Sequence, residues 1–208
     1  MRFGRLGRGG SAPDDRARVS DVYPVMLEGP EVTLREIDMS DVPAVGKWVG
    51  DPEAVRYVPL GPLEPAATVR YVEQLVTEAH REPREGYTLA IVDRAAREVI
   101  GSAALSIDSR THRRAELGYI LRRDAWGRGL ATAAAARMLR FAFDELGINR
   151  VWAVCDPDNP ASIRVLQKVG MAEEGRLRQD LLVHGVWRDS LLFATVASDA
   201  RDDPARFA

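Results

Sequence analysis

Three places in the sequence carry residue types and spacings that can do chemistry. The first is Gly127-Arg128-Gly129, followed by residues 130–146, in which Leu130, Ala134, Met138 and Phe141 recur at helical spacing. Glycine reaches backbone angles closed to other residues and leaves room for a ligand against the main chain. A helix that begins in such a loop presents free N–H groups and the positive end of its dipole, a natural seat for phosphate. Arg122, Arg123 and Arg128 add positive charge around it. A turn that needs glycine for geometry alone would read the same way. The second place is Glu116, one residue before the apolar run 117–121 and with the side-chain parity of Gly118 and Ile120. A carboxylate there is awkward for packing. It points either to function or to an ion pair with Arg114 or a neighbouring strand. The third is Ser162, just after the turn Asp156-Pro157-Asp158-Asn159-Pro160, where a hydroxyl serves either chemistry or a helix-start hydrogen bond. Cys155 is the single cysteine; it excludes an intrachain disulfide, offers no metal cluster, and reads as a small core residue ending a strand. No metal is expected.

The elements that must position these groups follow from periodicity. Residues 32–37 alternate as a strand. Ser40 or Asp41 caps a short helix carrying Val42, Val45 and Trp48, and Asp51-Pro52-Glu53 has the form of a second helix start. Pro59, Pro62 and Pro65 make a rigid loop before an amphipathic helix over 66–81. Segments 87–92 and 99–107 predict a hairpin, 117–121 a strand, and 130–146 a helix stopped at Gly147. Then come a strand at 151–155, a short helix at 161–169, and a last hairpin, 171–183 with 186–196, about His184-Gly185. The order predicts an α/β fold: a mixed, mostly antiparallel central sheet with a βαβ crossover in the middle and helices on both faces.

The chain has 208 residues and a net charge of −2, enough for one sizeable domain, which would bury roughly 70% of its unfolded surface. That charge gives no electrostatic case for nucleic acid or an anionic membrane as partner. No apolar run approaches a membrane span or a signal peptide, so a cytoplasmic protein is expected. Residues 1–28, rich in glycine and arginine at their start, and 198–208 read as flexible tails around a domain at 29–197.

Four segments together resemble the GNAT N-acetyltransferase superfamily, in the branch of bacterial ribosomal-protein N-terminal acetyltransferases. Trp48-Val49-Gly50-Asp51-Pro52-Glu53 with Tyr57 is similar to that branch's early signature. Ala115-Glu116-Leu117-Gly118-Tyr119 resembles its Glu-x-Gly-Tyr strand, and Trp126-Gly127-Arg128-Gly129-Leu130-Ala131-Thr132 its acyl-CoA pyrophosphate loop. Asn159-Pro160-Ala161-Ser162, followed by Leu166-Gln167-Lys168-Val169-Gly170-Met171, is similar to its Asn-x-x-Ser…Leu-x-Lys-x-Gly-Phe segment. The resemblance spans residues 32–196. Asp124 departs from the usual Gln or Arg opening the loop, and Leu166 stands where many superfamily members carry a tyrosine acid, so no phenol is expected there.

The resemblance implies an acetyl-CoA-dependent N-acetyltransferase acting on a primary amine by direct attack. Residues 126–132 would bind the pyrophosphate, the edge formed by Tyr119, Ile120 and Leu121 would pair with the pantetheine amides, and Asn159 and Ser162 would border the thioester. Glu116 would be the general base and Ser162 the proton donor to the leaving thiolate. The acceptor is expected to be a protein or peptide N-terminal α-amine, with small amines and antibiotics, and succinyl in place of acetyl, as alternatives. Its pocket would lie among Trp48, Tyr57 and Trp187, aromatics that serve equally well in a core. A homodimer is an analogy with the family only. Two rivals remain: a non-catalytic acyl-CoA sensor on the same fold, and a dinucleotide-binding domain in which Gly127-x-Gly129 holds the phosphates and Asp156 the ribose.

Overall fold

The alternating and apolar segments become strands and the periodic segments become helices. The structure, a computed structural model, describes residues 21–202. Among these, one sheet contains β1 (Met26–Glu28), β2 (Val32–Glu36), β3 (Gly86–Asp93), β4 (Glu98–Ser109), β5 (Arg114–Leu121), β6 (Arg150–Cys155), β7 (Ala172–Val183) and β8 (Val186–Val196). Their spatial order is β1-β2-β3-β4-β5-β6-β8-β7. Every neighbouring pair is antiparallel except β5 and β6. A sheet with one parallel pair is not the doubly wound parallel sheet that a dinucleotide domain needs, and that rival falls with it.

Helices cover both faces. On one, α1 (Val42–Val49) and α2 (Pro65–Ala79) bury Val45, Trp48, Val49 and Val72 against Ile37 and Ala90, with Ile120 packed alongside. On the other, α3 (Leu130–Arg140) and α4 (Pro160–Lys168) pack Ala134, Ala135, Met138 and Leu166 against Leu105, Leu117 and Val151. Alanines let α3 lie close to the sheet. The residues that follow it, Phe141–Glu145, form a π turn, so the helical path runs to 145, one residue short of the 146 that the spacing predicts. A short helix, α5 (Ala197–Asp202), follows β8.

One departure from regular pairing shapes the molecule. β5 and β6 pair only at Arg114–Arg150, Ala115–Val151 and Glu116–Trp152. Beyond Glu116, β5 stays bonded to β4 as far as Leu121, and β6 stays bonded to β8 as far as Cys155. The two strands therefore part between rigid walls, and Glu116 sits where they separate.

Several local expectations are corrected. The folded part starts earlier than residue 29: β1 pairs with β2, Val25 is buried, and Asp21 bonds Arg84 and Arg110. Fully buried Arg84 makes two bonds to Glu36 and donates to the carbonyls of Val22 and Gly86, which ties this segment down. Residues 1–20 and 203–208 lie outside the described residues, while 198–202 are helical rather than a tail. Asp51-Pro52-Glu53 starts no helix; the chain makes turns there, and the Asp51 carboxylate accepts from the Glu53 amide and from Arg123. Asp41 holds the N-cap position of α1 as expected but without a side-chain capping bond; that bond comes from Asp38, ahead of a 3-10 turn at Met39–Asp41.

Candidate active site

The parting of β5 and β6 opens a cleft of about 950 Å³. β5 and β6 form its walls, the glycine loop and first turn of α3 its upper end, α4 one flank and the 53–59 turns the other. Glu116, Gly118 and Tyr119 all border it. Strand alternation separates their side chains: Glu116, Gly118 and Ile120 share the α1–α2 face, and Leu117, Tyr119 and Leu121 the α3–α4 face. A Cβ on Gly118 would meet nothing within 4 Å, so the wall beside Glu116 is open space.

Glu116 is half-buried. Arg114, its expected ion-pair partner, instead gives its Nε to both oxygens of Asp108 at 3.0 and 2.8 Å. Asp108 also accepts from Trp152 Nε1 at 3.1 Å. Glu116 has no such partner among the described residues. Burial, then the negative charges of Asp108 and Asp180, push its carboxyl above the ordinary carboxylate range. A carboxylate of raised basicity, unpaired and facing a cleft, is equipped to take a proton.

On the opposite wall, the Tyr119 hydroxyl lies 2.9 Å from Ser162 Oγ and 3.2 Å from the Ser162 carbonyl. Burial raises the phenol's pKa well above its usual value. Ser162 is placed by Asn159, which caps α4 and accepts the Ser162 amide at 3.1 Å. Ser162 thus keeps a helix-start backbone bond, while its hydroxyl meets the Tyr119 hydroxyl and the Cys155 side chain at the cleft wall. Cys155 ends β6 beside them, buried as expected, its thiol pushed up to about 11 by burial and by Asp156 and Glu173.

The glycine loop has the form that the sequence predicts. Gly127 and Gly129 have φ of 75° and 80°, the left-handed region, and a Cβ on either would meet nothing within 4 Å. Gly129 precedes α3 with no side-chain cap, so the amides of the first turn, at Leu130, Ala131 and Thr132, border the cleft. Trp126 pins the loop to β5 by donating Nε1 to the Leu121 carbonyl at 2.9 Å. That carbonyl is therefore occupied, and a ligand along β5 must use the backbone before it.

The charges around the loop are arranged differently from the expectation. Arg128 turns away to the buried Asp93 at 2.7 Å, so it offers the cleft its backbone and not its charge. Arg122 is paired with Glu98 and Asp124, and Arg123 with Asp51. The cations bordering the cleft are Arg164 and Lys168, four residues apart on α4 and without ion-pair partners among the described residues. The only sequence signal for them was that one-turn spacing.

The three aromatics expected around an acceptor are scattered. Tyr57 borders the cleft and donates its hydroxyl to the Asp158 carbonyl at 2.9 Å, bridging the 53–59 turns to the β6–α4 turn. Trp48, 1% exposed, does not border it; it shares a helix face with Val45 and Val49, and that face is the core contact of α1. Trp187, 59% exposed, stands outward on β8 opposite Leu182 and is not in the cleft wall. Asp156 is held by two Arg188 bonds at 2.7 and 2.8 Å, which outweigh its burial and keep its carboxyl below the usual range. It is not the free carboxylate that a ribose would need.

Residues 31–172 match the acetyltransferase (GNAT) domain family. The chain belongs to the GNAT acetyltransferase family. It is accordingly an N-acyltransferase. Among relatives of this GNAT protein, the uncharacterized N-acetyltransferase YoaA of Bacillus subtilis is 31% identical over 175 residues, covering 84% of the chain and 98% of YoaA. The spermidine N(1)-acetyltransferase of Escherichia coli is 29% identical over 134 residues, 61% of the chain and 72% of that enzyme. A solved structure of Mycobacterium smegmatis RimJ in complex with CoA-disulfide superposes with a TM-score of 0.77 at 28% identity, covering 85% of the chain and 90% of RimJ. Among the described residues of this acetyltransferase, no helix is long and apolar enough to cross a membrane.

Proposed function

We propose that the protein transfers an acetyl group from acetyl-CoA to a primary amine, and that its acceptor is the α-amine of a protein or peptide. The observation that carries the catalytic reading is Glu116: an unpaired, half-buried carboxylate of raised basicity at the point where β5 leaves β6. It disfavours the sensor reading, since a binding module has no use for a buried carboxylate without a partner.

The cleft has the length and chemistry for the donor. The pyrophosphate lies on the loop and first-turn amides, where the open space at Gly127 and Gly129 admits it. The pantetheine runs along the β5 edge that β6 vacates, adding amides to a sheet as a peptide strand does. The thioester then lies between Glu116 on one face and Ser162 on the other. The amine arrives protonated, and Glu116 takes a proton from it directly or through water. The freed lone pair attacks the thioester carbon, the nitrogen of the adduct releases its second proton to solvent, the C–S bond breaks with its pair on sulfur, and the thiolate gains a proton through Ser162, which solvent reprotonates.

A relative named as a putative ribosomal N-acetyltransferase, YdaF of Bacillus subtilis, 26% identical over 163 residues, supports a polypeptide end as acceptor. The alternative is a polyamine, favoured by the spermidine-acetylating relative and by Asp108 and Asp180 beside Glu116. An acceptor panel with acetyl-CoA tests both: short peptides with free and blocked N-termini, spermidine, and a lysine side-chain amine, read as CoA released. Release with the free-ended peptides alone is the expected result. Release with spermidine alone overturns the acceptor assignment, and release with none of the amines overturns the function.

A further inference from the structure

Position 166 lacks a phenol, but the cleft contains one on β5, and its geometry points to Tyr119 as a positioning residue that aims the Ser162 hydroxyl at the acyl-CoA sulfur. The inference rests on the acyl-CoA reading of the cleft and goes beyond it by assigning a hydrogen-bond order. Tyr119 has one hydroxyl proton and two acceptors in reach, Ser162 Oγ at 2.9 Å and the Ser162 carbonyl at 3.2 Å. The carbonyl lies in the first turn of α4 and accepts the amide one turn later as part of the helix. The hydroxyl oxygen is nearer and has no helical partner. With the phenol donating to Oγ, the serine's own proton cannot point back to Tyr119. The hydroxyl's other side-chain partner is Cys155, at the cleft wall, so the proton lies on the cleft side of Oγ, where an acyl-CoA sulfur competes with the Cys155 sulfur for it.

Tyr119 does this without giving up its proton. Burial holds its phenol far above the range in which it would ionise, so it is a poor acid and a dependable donor. When the C–S bond breaks, its electron pair stays on sulfur. Ser162 Oγ–H donates to that sulfur and passes it the proton, and solvent returns a proton to Oγ. Tyr119 keeps its bond to Oγ throughout, stabilising the oxygen while it is short of a proton. This division of labour replaces the phenol that position 166 lacks: Leu166 is buried in the core on this side of the sheet, and the hydroxyl function comes from β5 across 43 residues of sequence.

The prediction is that a sulfur anion in the cleft is stabilised through a Tyr119–Ser162 unit. Calorimetry with CoA and with desulfo-CoA, which lacks the thiol, measures this without any acceptor. As pH rises through the thiol range near ~8.5, CoA should gain affinity relative to desulfo-CoA by roughly fivefold to tenfold in the wild-type protein. Tyr119→Phe keeps the ring and removes the hydroxyl; it should abolish most of that gain while desulfo-CoA binds as before. Ser162→Ala should do the same, and the double variant should lose no more than either single one. Equal gains in wild type and Tyr119→Phe, or losses that add in the double variant, would overturn the assignment. Failure of both ligands to bind the wild-type protein would overturn the acyl-CoA reading itself, and the inference with it.

Discussion

At the residue scale the protein turns on a carboxylate that its neighbours leave alone. Arg114 is two positions away and of the same strand parity, yet it is spent on Asp108, which leaves Glu116 out of an ion pair, as the proposed base must be. General acid–base groups contribute ~10²- to 10⁴-fold. Glu116→Gln should therefore lower kcat by roughly 10²-fold or more with acetyl-CoA affinity unchanged, measured by steady-state kinetics and calorimetry on the same preparation. The loss should shrink at high pH, where the amine is already free. The pH profile carries a second prediction. The Glu116 carboxyl is raised, so its protonation removes the base at a higher pH than an ordinary carboxylate would. Asp180 is one of the like charges that raise it, and it is exposed on β7. Asp180→Asn should make Glu116 easier to ionise and move the acidic limb of the kcat/KM profile to lower pH. A limb that stays in place would mean that the limb reports another group.

At the element scale the working part is a pair of diverging strands flanked by two helix starts. β4 and β8 hold the walls, so the gap is built into the pairing of the sheet. The α3 start supplies backbone donors, and α4 supplies both Ser162 and the cations. Since Arg122, Arg123 and Arg128 are each engaged by carboxylates, the phosphates of a CoA should find their mobile charge on α4. Replacing Arg164 and Lys168 together by alanine should raise the Kd for CoA roughly tenfold and flatten its salt dependence. Arg128→Ala should leave that salt dependence nearly unchanged, because its charge is already neutralised by Asp93. The comparison is made by titrating CoA at several ionic strengths.

At the scale of the whole molecule, the N-terminal segment is part of the sheet. Val25 is buried, β1 extends the edge beside β2, and the fully buried Arg84 draws Val22 and Glu36 together. Burying a valine side chain is worth about 1.5–3 kcal/mol, and lost bonds to a charged group add to this. A chain beginning at residue 29 should therefore melt roughly 5–10 °C below one beginning at residue 21, with the Kd for acetyl-CoA unchanged, since none of residues 21–28 borders the cleft. Calorimetric melting of the two chains checks this; equal Tm values would show that the strand contributes nothing.

What the sequence alone determined was local. The loop glycines, the proline and asparagine that open α4, the strand parity of Glu116 and the order of elements are properties of short stretches, and the backbone preferences that enforce them act over a few residues. Those readings agree with the elements observed, apart from the helix expected at Asp51 and the strand β1 inside the expected tail. The tertiary structure decided what lies far apart in sequence or depends on competition. Tyr119 meets Ser162 because β5 and β6 diverge and α4 folds back beside the gap. Arg128 turns from the loop because buried Asp93 is a stronger partner than solvent, and Trp48 is core because the whole face of α1 is covered. A linear pattern records that a side chain is charged or aromatic. Its partner is chosen among groups that the chain brings together only after it has folded, by burial and by which opposite charge is nearest.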